Sequence, residues 1–375
     1  MTRPRRWLFS DAPYPGGAER YLELLLEAAG PDELGLVGIE SDGLRPWLEA
    51  LTADGVVVHR VPGGPLHARW LGWWEWLRRE RPQLVHVNMP GPYDGLMATA
   101  PWLARRAGVD RVVVTEHLPG VGRVGKRYPW KRFLLGAIDR AIVVCHAHED
   151  LMVRTFGYEA SRVVAIPNGI ADPAPVRPRG DRRAALPADL IHRERGPGLR
   201  IVQLGSVDER KGPDRVVRAL ASVRAAGIGA SLWFVGDGPM RADVEALAHR
   251  LGLTGHVHLL GHRDDAPHLL AAADVVTLAS RREGLPFSLI EACAWARPIV
   301  ALDTDGVGEI VIDGVNGRLV PVHRQDAFES ALIEMATDTD RRHSRGDAAR
   351  ARFESYFTLD GMIARTFAQY GSEDG

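Results

Sequence analysis

The chain has 375 residues, of which 45% are hydrophobic and 25% are charged. This length suggests two domains, and the composition is typical of a soluble globular protein rather than a disordered or fibrous one. The formal net charge of -1 argues against a nucleic-acid partner.

The chain contains two cysteines, Cys145 and Cys293, each inside an apolar stretch. This usage indicates a reducing compartment and argues against a disulfide framework. No apolar run reaches the ~18 residues that a membrane-spanning helix needs. The N-terminal segment also lacks the apolar core of a secretory signal, so we expect a cytoplasmic protein.

Short apolar strands alternate with amphipathic helices through the first half of the chain. The first strand is followed by a turn at 13–17 and by a helix over about 18–29, in which apolar residues recur at spacings of three and four. The strands at 84–88 and 112–116 are short, mostly apolar and β-branched, as is typical of strands buried on both faces of a parallel sheet. The predicted strands are 6–10, 34–40, 56–61, 84–88, 112–116, 141–145 and 163–167.

A segment rich in Pro, Gly and Arg, residues 171–198, interrupts this alternation and marks a domain boundary. A second series then follows. Its predicted strands are 200–205, 231–236, 257–260, 275–279, 299–302 and 317–320, and its predicted helices are about 213–227, 239–251, 266–272, 287–296 and 325–336. Each series predicts a doubly wound α/β sheet, and two such sheets in tandem predict domains that face each other across a cleft.

The predicted domains are therefore an N-terminal domain over 1–170 and a C-terminal domain over 171–355. We expect a C-terminal helix within 356–375 to pack back towards the N-terminal domain.

Two glutamates stand around the start of the helix at 287–296. Glu283 lies in the preceding loop, RREGLPFS, and Glu291 lies in the second helical turn. The helix starts near Pro286 or Phe287, and the free N–H groups of a first helical turn can bind an anion. A loop glutamate there can bind sugar hydroxyls or stabilise a developing cation. Alternatively, Glu283 caps the helix and Glu291 lies on a solvated face.

Lysine is rare in this chain, because 44 of its 47 basic residues are arginines. One of the three lysines, Lys211, lies between a strand and a helix in the loop GSVDERKG. A lysine at such a junction suits a phosphate, since its ammonium is a compact charge with three donors. The alternative is an ordinary surface charge, but the rarity of lysine favours a function.

Three other strand ends carry candidate residues. Gly16 and Gly17 follow the first strand, where paired glycines allow close approach of a ligand, although such a pair more often marks a plain loop. His117 ends the strand at 112–116, at the edge where open α/β sheets bind ligands, with a structural role as the alternative. The segment GDGP at 236–239 also ends a strand. The sequence contains no HExxH motif or closely spaced ligand set, so we expect no metal.

In this order, the motifs resemble those of family 4 glycosyltransferases, which have the GT-B fold. The most specific match is EGLPFSLIEA, in which Glu283 and Glu291 fit the family's E-x7-E pattern. The resemblance runs from GGAER to the C-terminal helix. Further matches in register are RPQLVHVN at 81–88, VVVTEH at 112–117, IPNGI at 166–170, VDERKG at 207–212, FVGDGP at 234–239, GEI at 308–310 and NGRLV at 316–320.

The resemblance implies an α/β protein with two Rossmann-like domains. It implies a nucleotide-sugar donor bound mainly by the C-terminal domain, an acceptor held by the N-terminal domain, retention of anomeric configuration, no cofactor and no obligatory metal. A UDP-sugar is the favoured donor and a GDP-sugar the alternative. The acceptor is left open among a polysaccharide, a glycolipid and a small metabolite.

The resemblance also assigns roles to residues. Lys211 would bind the donor diphosphate, Glu291 the ribose hydroxyls, and Glu283 the donor sugar. The implied catalytic residues are His117 and Glu283. The implied donor-binding residues are Gly16, Gly17, Arg210, Lys211, Gly238, Arg263, Gly284, Leu285, Pro286, Phe287 and Glu291.

Two positions depart from the family pattern. Ser206 stands where the family usually has an arginine, so one expected diphosphate cation is missing, and Arg210 is the candidate substitute. Asp305 stands where a glycine is usual, next to Gly306. The departure at Ser206 leaves a non-catalytic partner subunit as an alternative, against which the retention of Lys211, Glu283, Glu291 and His117 argues. An epimerase or an inverting transferase of the same fold is a further alternative, against which the E-x7-E pattern argues.

Basic and aromatic residues suggest weak contact with the inner face of the cell membrane. Seven basic residues against two acidic ones give residues 111–140 a local net charge of +5. The residues concerned are Arg111, Arg123, Lys126, Arg127, Tyr128, Trp130, Lys131, Arg132 and Arg140, with Trp70, Trp73, Trp74 and Trp76 upstream. Aromatic side chains with a basic flank suit a bilayer surface. Alternatively, the tryptophans pack on the sheet and the basic loop binds an anionic acceptor.

Overall fold

In a computed structural model of the protein, the chain forms two compact units. The first comprises Met1–Asn168 with Leu359–Gly375, and the second comprises Gly169–Thr358. The structure describes residues 4–89, 99–119, 135–173, 186–193 and 198–371, with the backbone alone for 191–193. The chain therefore enters the second unit once and returns to the first for its last helix.

Within the described residues, the first unit has a seven-stranded parallel sheet with the order β3-β2-β1-β4-β5-β6-β7. Its strands are β1 (Arg6–Ser10), β2 (Leu34–Ile39), β3 (Val58–Val61), β4 (Leu84–Met89), β5 (Arg111–Glu116), β6 (Arg140–Val143) and β7 (Val163–Ala165). Each begins within two residues of its predicted start. The order reverses between β1 and β4, and ligands of such sheets bind beyond the carboxyl ends at this reversal.

Helices cover the sheet of the first unit. They are α1 (Gly17–Ala29), α2 (Arg45–Ala53), α3 (Leu66–Glu80), α4 (Ala100–Arg106) and α5 (Ala147–Leu151), with short helical turns at Leu135–Ala137, Met152–Phe156 and Ala160–Arg162. The strands of the sheet supply much of the core, because β2 and β4 are buried at every position.

The tryptophans of α3 belong to this core. Trp73 and Trp76 are fully buried, and Trp70 and Trp74 pack against the same cluster. Trp73 and Trp76 therefore do not face a bilayer, whereas Trp70 and Trp74 are half-buried. The aromatic and basic residues Arg123, Lys126, Arg127, Tyr128, Trp130, Lys131 and Arg132 lie outside the described residues.

The described part of the second unit has a six-stranded parallel sheet with the order β10-β9-β8-β11-β12-β13. Its strands are β8 (Leu199–Leu204), β9 (Ala230–Val235), β10 (Val257–Leu259), β11 (Val275–Leu278), β12 (Ile299–Asp303) and β13 (Gly317–Pro321). Its helices are α6 (Pro213–Ala225), α7 (Arg241–Arg250), α8 (Ala266–Ala272), α9 (Phe287–Ala294), α10 (Val307–Ile310), α11 (Gln325–Thr337) and α12 (Thr339–Tyr356).

The predicted helices of the second unit are present, but α12 was not predicted. Its sequence is strongly polar, and its buried face includes Arg342 and Arg345. Arg345 reaches α11, where its guanidinium lies 2.7 Å from the carboxylate of Glu334. Apolar periodicity does not reveal a helix whose buried face is made partly of paired charges.

The last helix, α13 (Leu359–Ala368), belongs to the first unit. Thr366 Oγ1 lies 3.3 Å from the hydroxyl of Tyr21, and the hydroxyl of Tyr370 lies 2.8 Å from His86 Nδ1. These polar contacts are buried, so they fix the chain end against β4 and α1. Within the described residues, no helix combines the length and apolar content that crossing a bilayer requires.

Candidate functional site

Most of the sequence-predicted residues lie at the carboxyl edge of the second sheet. The loops that follow β10, β9, β8, β11 and β12 form a row there, because those strands are parallel neighbours in this order. Arg263, Gly238, Lys211, Glu283 and Asp305 occur one in each loop, in the same order. The sheet therefore brings together residues that are far apart in the sequence.

Two of these loops meet in a buried ion pair. Lys211 Nζ lies 2.7 Å from Glu283 Oε1, and the two side chains are 11% and 7% exposed. Arg210 Nη1 lies 3.0 Å from the same oxygen, and the hydroxyl of Ser280 donates a hydrogen bond to it at 2.7 Å. One carboxylate oxygen therefore holds two cations in place between β8 and β11.

The environment of Glu283 keeps it ionised. Burial by itself raises the pKa of this carboxyl, but the positive charges of Lys211 and Arg210 and the hydrogen bonds from Lys211 and Ser280 outweigh burial and lower the pKa below its ordinary value. At neutral pH the cluster is thus one carboxylate with two cations, with net positive charge.

The loop that carries Lys211 is shaped by Asp208. One carboxylate oxygen of Asp208 accepts the backbone N–H of Lys211 at 2.9 Å, and the other accepts the Ser206 hydroxyl at 2.6 Å. Gly212 follows with φ 61°, and a Cβ there would stand 2.3 Å from the carbonyl oxygen of Ala279. Only glycine fits this approach, which presses the loop against the end of β11.

Ser206 therefore supports the loop instead of supplying a charge. Arg210 supplies the second cation, and its guanidinium also donates to the Arg282 carbonyl at 3.3 Å. The arrangement gives the site two cations in spite of the missing arginine at position 206. Sequence reasoning did not single out Asp208 or Ser280, although Asp208 stands in the VDERKG motif.

The helix after the Glu283 loop begins at Phe287, with Pro286 as the N-cap and no side-chain cap. Glu283 therefore does not cap this helix, which removes that structural alternative. Glu291 lies half-buried in the second turn of α9, and Gly284 is half-buried in the loop. The loop is anchored in the protein interior by three buried residues, Leu285, Pro286 and Phe287.

Gly238 has a structural reason to be glycine. A Cβ at this position would stand 2.4 Å from the carbonyl oxygen of Val207 in the Lys211 loop. The loops after β8 and β9 therefore touch through their backbones. Gly238 takes part in building the site, whether or not it also contacts a ligand.

Arg263 is held by two carboxylates. Its guanidinium pairs with Asp265 at 2.7 Å and with Asp189 at 2.8 Å. Its hydrogen bonds to these acids raise its pKa further above the ordinary value. Asp189 lies in the short helix Ala188–Arg193, so Arg263 fastens this segment to the loop after β10.

Asp305 lies at the end of the row, beyond the Glu283 loop. Its backbone has φ 38°, in the left-handed region that favours glycine. Its half-buried carboxylate accepts the backbone N–H of Glu283. Burial is the main cause of a raised pKa for Asp305, which the nearby charge of Arg282 partly opposes.

In the first unit, Gly16 and Gly17 are exposed at the start of α1. The backbone N–H of Gly16 donates to Glu19 Oε2 at 3.1 Å, and the hydroxyl of Ser10 donates to Glu19 Oε1 at 3.1 Å. A Cβ on Gly16 would meet only Glu19, at an ordinary 3.8 Å, and its φ of -148° suits any residue. The fold of this unit therefore does not require glycine at position 16.

His117 follows β5 and is buried, at 8% exposure. Its Nε2 lies 2.7 Å from Asn88 Oδ1, while Asn88 Nδ2 donates to the carbonyl of Ala18 at 3.1 Å. Because the amide oxygen can only accept, Nε2 carries the proton and Nδ1 is an acceptor. Burial lowers the pKa of His117 to about 3, so the ring is neutral at physiological pH.

No group of three or more His, Cys, Asp or Glu side chains is arranged to hold a metal ion in the described ranges of the chain. Lys211 and Arg210 supply positive charge at the Glu283 carboxylate. The arrangement can therefore bind an anionic group next to a carboxylate that is fixed and ionised.

Family comparisons place this chain among known enzymes. Residues 15–172 match the model of Glycosyltransferase Family 4, and residues 191–352 match that of Glycosyl transferases group 1. The chain is 31% identical over 275 residues to the GDP-mannose-dependent alpha-(1-6)-phosphatidylinositol monomannoside mannosyltransferase of Mycobacterium tuberculosis, with 70% of each chain covered. It is 28% identical over 314 residues to the D-inositol 3-phosphate glycosyltransferase of Rhodococcus opacus, covering 76% of this chain and 69% of the relative.

The fold matches that of solved glycosyltransferase-like structures. Anabaena Alr3699/HepE in complex with UDP superposes with a TM-score of 0.77 at 18% identity, covering 97% of this chain and 99% of that chain. The predicted α/β class with two Rossmann-like domains is confirmed. The matches over both units and the mycobacterial relative establish that the protein belongs to glycosyltransferase family 4, with the GT-B fold and a nucleotide-sugar donor.

Proposed function

We propose that the protein transfers a hexosyl group, with retention of anomeric configuration, from GDP-mannose to a lipid-linked or saccharide acceptor. The observation that carries the proposal is the buried cluster in which Lys211 and Arg210 meet the Glu283 carboxylate at 2.7 and 3.0 Å. It places two cations next to an ionised carboxylate at the edge where open α/β sheets bind ligands.

Breaking a sugar–phosphate bond leaves a diphosphate with added negative charge and a sugar that resembles an oxocarbenium ion. Lys211 and Arg210 would stabilise the diphosphate as its charge grows. Fixed groups of this kind are worth on the order of 3–4 kcal/mol each in the transition state. With these two cations as the charge partners, we propose that the transfer needs no metal and no cofactor.

Glu283 would stabilise the positive charge that develops on the donor sugar. Its pKa is lowered, so the carboxylate is ionised at neutral pH and can stabilise positive charge on the sugar or accept a hydrogen bond from a sugar hydroxyl. It also orients Lys211, because the two groups are in direct contact. Glu291, on the helix that follows, would accept hydrogen bonds from the ribose hydroxyls.

His117 would act as a neutral hydrogen-bonding group. With a pKa of about 3 the ring is neutral at physiological pH and carries a single proton, on Nε2. Asn88 fixes the ring through Nε2, which leaves Nδ1 as an acceptor for a hydroxyl of the substrate. In the same unit, the exposed backbone at Gly16 and Gly17 would face the diphosphate. The fold has room for a side chain at position 16, so we attribute the glycine there to the ligand.

The choice of donor follows from the names of the relatives. The name of the mycobacterial relative supports GDP-mannose, at 31% identity over 70% of this chain. The likeness to Alr3699/HepE in complex with UDP, at 18% identity, supports the fold alone. We therefore take GDP-mannose as the first donor and keep the UDP-sugars, which the sequence analysis favoured, as the alternative.

A lipid-linked acceptor would require reversible contact with the inner face of the membrane. Two relatives are named for acceptors that contain inositol, one of them a phospholipid. Because Trp73 and Trp76 are buried in the core, such contact would depend on other aromatic and basic side chains. Co-sedimentation with liposomes, with and without anionic lipid at low salt, tests this step. If equal amounts of protein sedimented with the two kinds of liposome, a soluble acceptor would be favoured.

The experiment for the function has two stages. Binding of GDP-mannose, UDP-glucose and UDP-N-acetylglucosamine is measured first by calorimetry. Release of the nucleoside diphosphate is then followed with candidate acceptors, in the presence and absence of EDTA, and the product anomer is assigned by NMR. Acceptor-dependent release, an α-linked product from an α-linked donor and no effect of EDTA are expected. An inverted product would refute retention, and loss of activity in EDTA would refute metal independence.

A further inference from the structure

The ring of His117 packs against the ring of Tyr21. Their centroids are 5.1 Å apart and their planes meet at 75°, which is the edge-to-face arrangement that aromatic rings favour. The hydrogen bond from Nε2 to Asn88 restrains one edge of the imidazole, and the contact with Tyr21 restrains its plane. Both supports depend on helix α1, because the carbonyl of Ala18 accepts the amide of Asn88 and Tyr21 lies one turn further along.

Tyr21 is itself held through its hydroxyl. The side chain is fully buried, and the hydroxyl lies 3.4 Å from Thr115 Oγ1 and 3.3 Å from Thr366 Oγ1. Thr115 lies in β5, two residues before His117, whereas Thr366 lies in α13. The hydroxyl of Tyr21 therefore joins the strand that leads to His117 to the last helix of the chain.

A chain of hydrogen bonds leads from Tyr21 back to the same C-terminal segment. Thr115 donates to Tyr21, so His86 Nε2 is the donor to Thr115, at 2.7 Å. Burial lowers the pKa of His86 to about 3, so its neutral ring has one proton, and Nδ1 accepts from the hydroxyl of Tyr370 at 2.8 Å. Tyr21 then donates its own proton to Thr366. Both ends of the chain of hydrogen bonds thus belong to the last residues of the protein.

This arrangement holds Tyr21 in one orientation. The side chains that take part are almost completely enclosed, and an unpaired hydroxyl in such surroundings is costly. Rotation of the Tyr21 side chain would break its hydrogen bonds with Thr115 and Thr366 and would remove its ring from His117. Helix α13 therefore constrains the imidazole through Tyr21.

We propose that Tyr21 is a positioning residue that sets the orientation of the His117 ring, and that α13 holds Tyr21 in place through Thr366. The role of His117 is part of the proposed function, on which this inference rests. There, Nδ1 of His117 accepts a hydrogen bond from a hydroxyl of the substrate. An imidazole that turns about its bond to the chain would aim this lone pair away from the hydroxyl. Loss of the support should therefore slow turnover more than it weakens nucleotide binding.

The test breaks the support at each end. Tyr21→Phe removes the hydroxyl and keeps the ring, and Thr366→Val replaces the partner hydroxyl with a methyl group. Tyr158→Phe is the matched control, because it removes another buried tyrosine hydroxyl of the same unit, one that donates to Glu116 at 3.3 Å. Each substitution is also made in a His117→Ala background.

Kinetics and binding are measured for all of these proteins. Release of the nucleoside diphosphate from GDP-mannose and from UDP-glucose gives kcat, calorimetry gives the affinity for free GDP and UDP, and the thermal midpoint shows that each variant is folded. Tyr21→Phe and Thr366→Val should each lower kcat about fivefold, as loss of one hydrogen bond can produce. Free nucleotide should bind as it does to the wild type. Tyr158→Phe should keep kcat within about twofold of the wild type.

The His117→Ala background separates positioning from a general structural effect. A residue that acts through His117 has nothing left to act on in this background, so Tyr21→Phe and Thr366→Val should not lower kcat further. A purely structural effect would persist there at its full size.

A second measurement does not depend on turnover. The carbon-bound ring protons of His117, assigned by their loss in His117→Ala, report the position of the imidazole relative to Tyr21 in NMR spectra of the full chain with ¹³C-labelled histidine. These resonances should shift or broaden in Tyr21→Phe and in Thr366→Val, and they should stay in place in Tyr158→Phe.

Three outcomes would overturn the inference. They are kcat or His117 resonances that are unchanged in both Tyr21→Phe and Thr366→Val, an equal loss of kcat in Tyr158→Phe, and a loss that persists in the His117→Ala background. If the wild type releases no nucleoside diphosphate from any donor, the proposed function fails. The NMR measurement then still decides whether Tyr21 positions His117.

Discussion

Lys211 Nζ lies 2.7 Å from Glu283 Oε1, although the two residues come from loops after different strands, β8 and β11. Both side chains are almost completely enclosed. A buried ion pair is costly to break from one side only, because the remaining charge stays out of water. This pair therefore couples the stability of the two loops to the charges of Lys211 and Glu283.

Lys211→Ala should abolish most of the activity while the protein stays folded. Loss of one diphosphate cation should cost roughly 3 kcal/mol in the transition state, which is about a hundredfold in rate. Arg210 still pairs with Glu283 in this variant, so the carboxylate is not left alone. The measurements are kcat/KM and the thermal midpoint. A folded variant with activity within about threefold of the wild type would contradict the role.

Glu291→Ala and Glu283→Ala should differ in the parameter that they change. Loss of ribose hydrogen bonds weakens ground state and transition state alike, so Glu291→Ala should raise KM and weaken binding of free nucleotide. Glu283→Ala should lower mainly kcat, because its contacts are near the reacting sugar. Steady-state kinetics and calorimetry with free GDP and UDP separate the two. Unchanged nucleotide affinity in Glu291→Ala would refute its ribose role.

Arg210→Ala should reduce activity less than Lys211→Ala does, by roughly tenfold, because the guanidinium is 40% exposed and partly screened. Ser206→Arg in the Arg210→Ala background should restore part of the loss, since it returns a cation to the same loop. Ser206→Ala in that background is the control, because it removes the hydrogen bond from Ser206 to Asp208 without adding a charge. Arg210 is not the second diphosphate cation if neither kcat nor KM responds to its removal.

Acid should destabilise the protein through His86. Burial, and then the charge of His117, lowers the pKa of His86 to about 3, against 6.5 for an ordinary histidine. The unfolded chain therefore binds one more proton between these values. As pH falls below 6.5, the free energy of unfolding falls by up to about 1.4 kcal/mol per pH unit from this residue.

His86→Gln isolates this contribution, because glutamine offers a donor and an acceptor to Thr115 and Tyr370 but does not titrate. Urea unfolding of both proteins at several pH values between about 7.5 and 5 gives the difference in stability, in which other titrating groups cancel. As pH falls, the free energy of unfolding of the variant should rise relative to that of the wild type. A constant difference would show that His86 titrates alike in the folded and unfolded chains.

Much of the fold was predictable because its strands are buried on both faces. A parallel strand such as Leu34–Ile39 contains only Leu, Val, Ile and Gly and is buried at every position, and this signal does not depend on the rest of the chain. The family was predictable for a similar reason, since the spacing of Glu283 and Glu291 is local in sequence. Helix α12 was not predicted, because its buried face includes the arginines Arg342 and Arg345.

The sequence by itself determined the alternation of strands and helices, the family motifs and the residue types available to the site. The tertiary structure alone decided which charges meet. Asp208 accepts the backbone N–H of Lys211, Arg210 pairs with Glu283, and Arg263 is held by two acids. Such pairings depend on the order of the strands in the sheet and on the direction of each side chain. The strength of an electrostatic interaction depends on the distance between the two charges in space, not on their separation in the sequence.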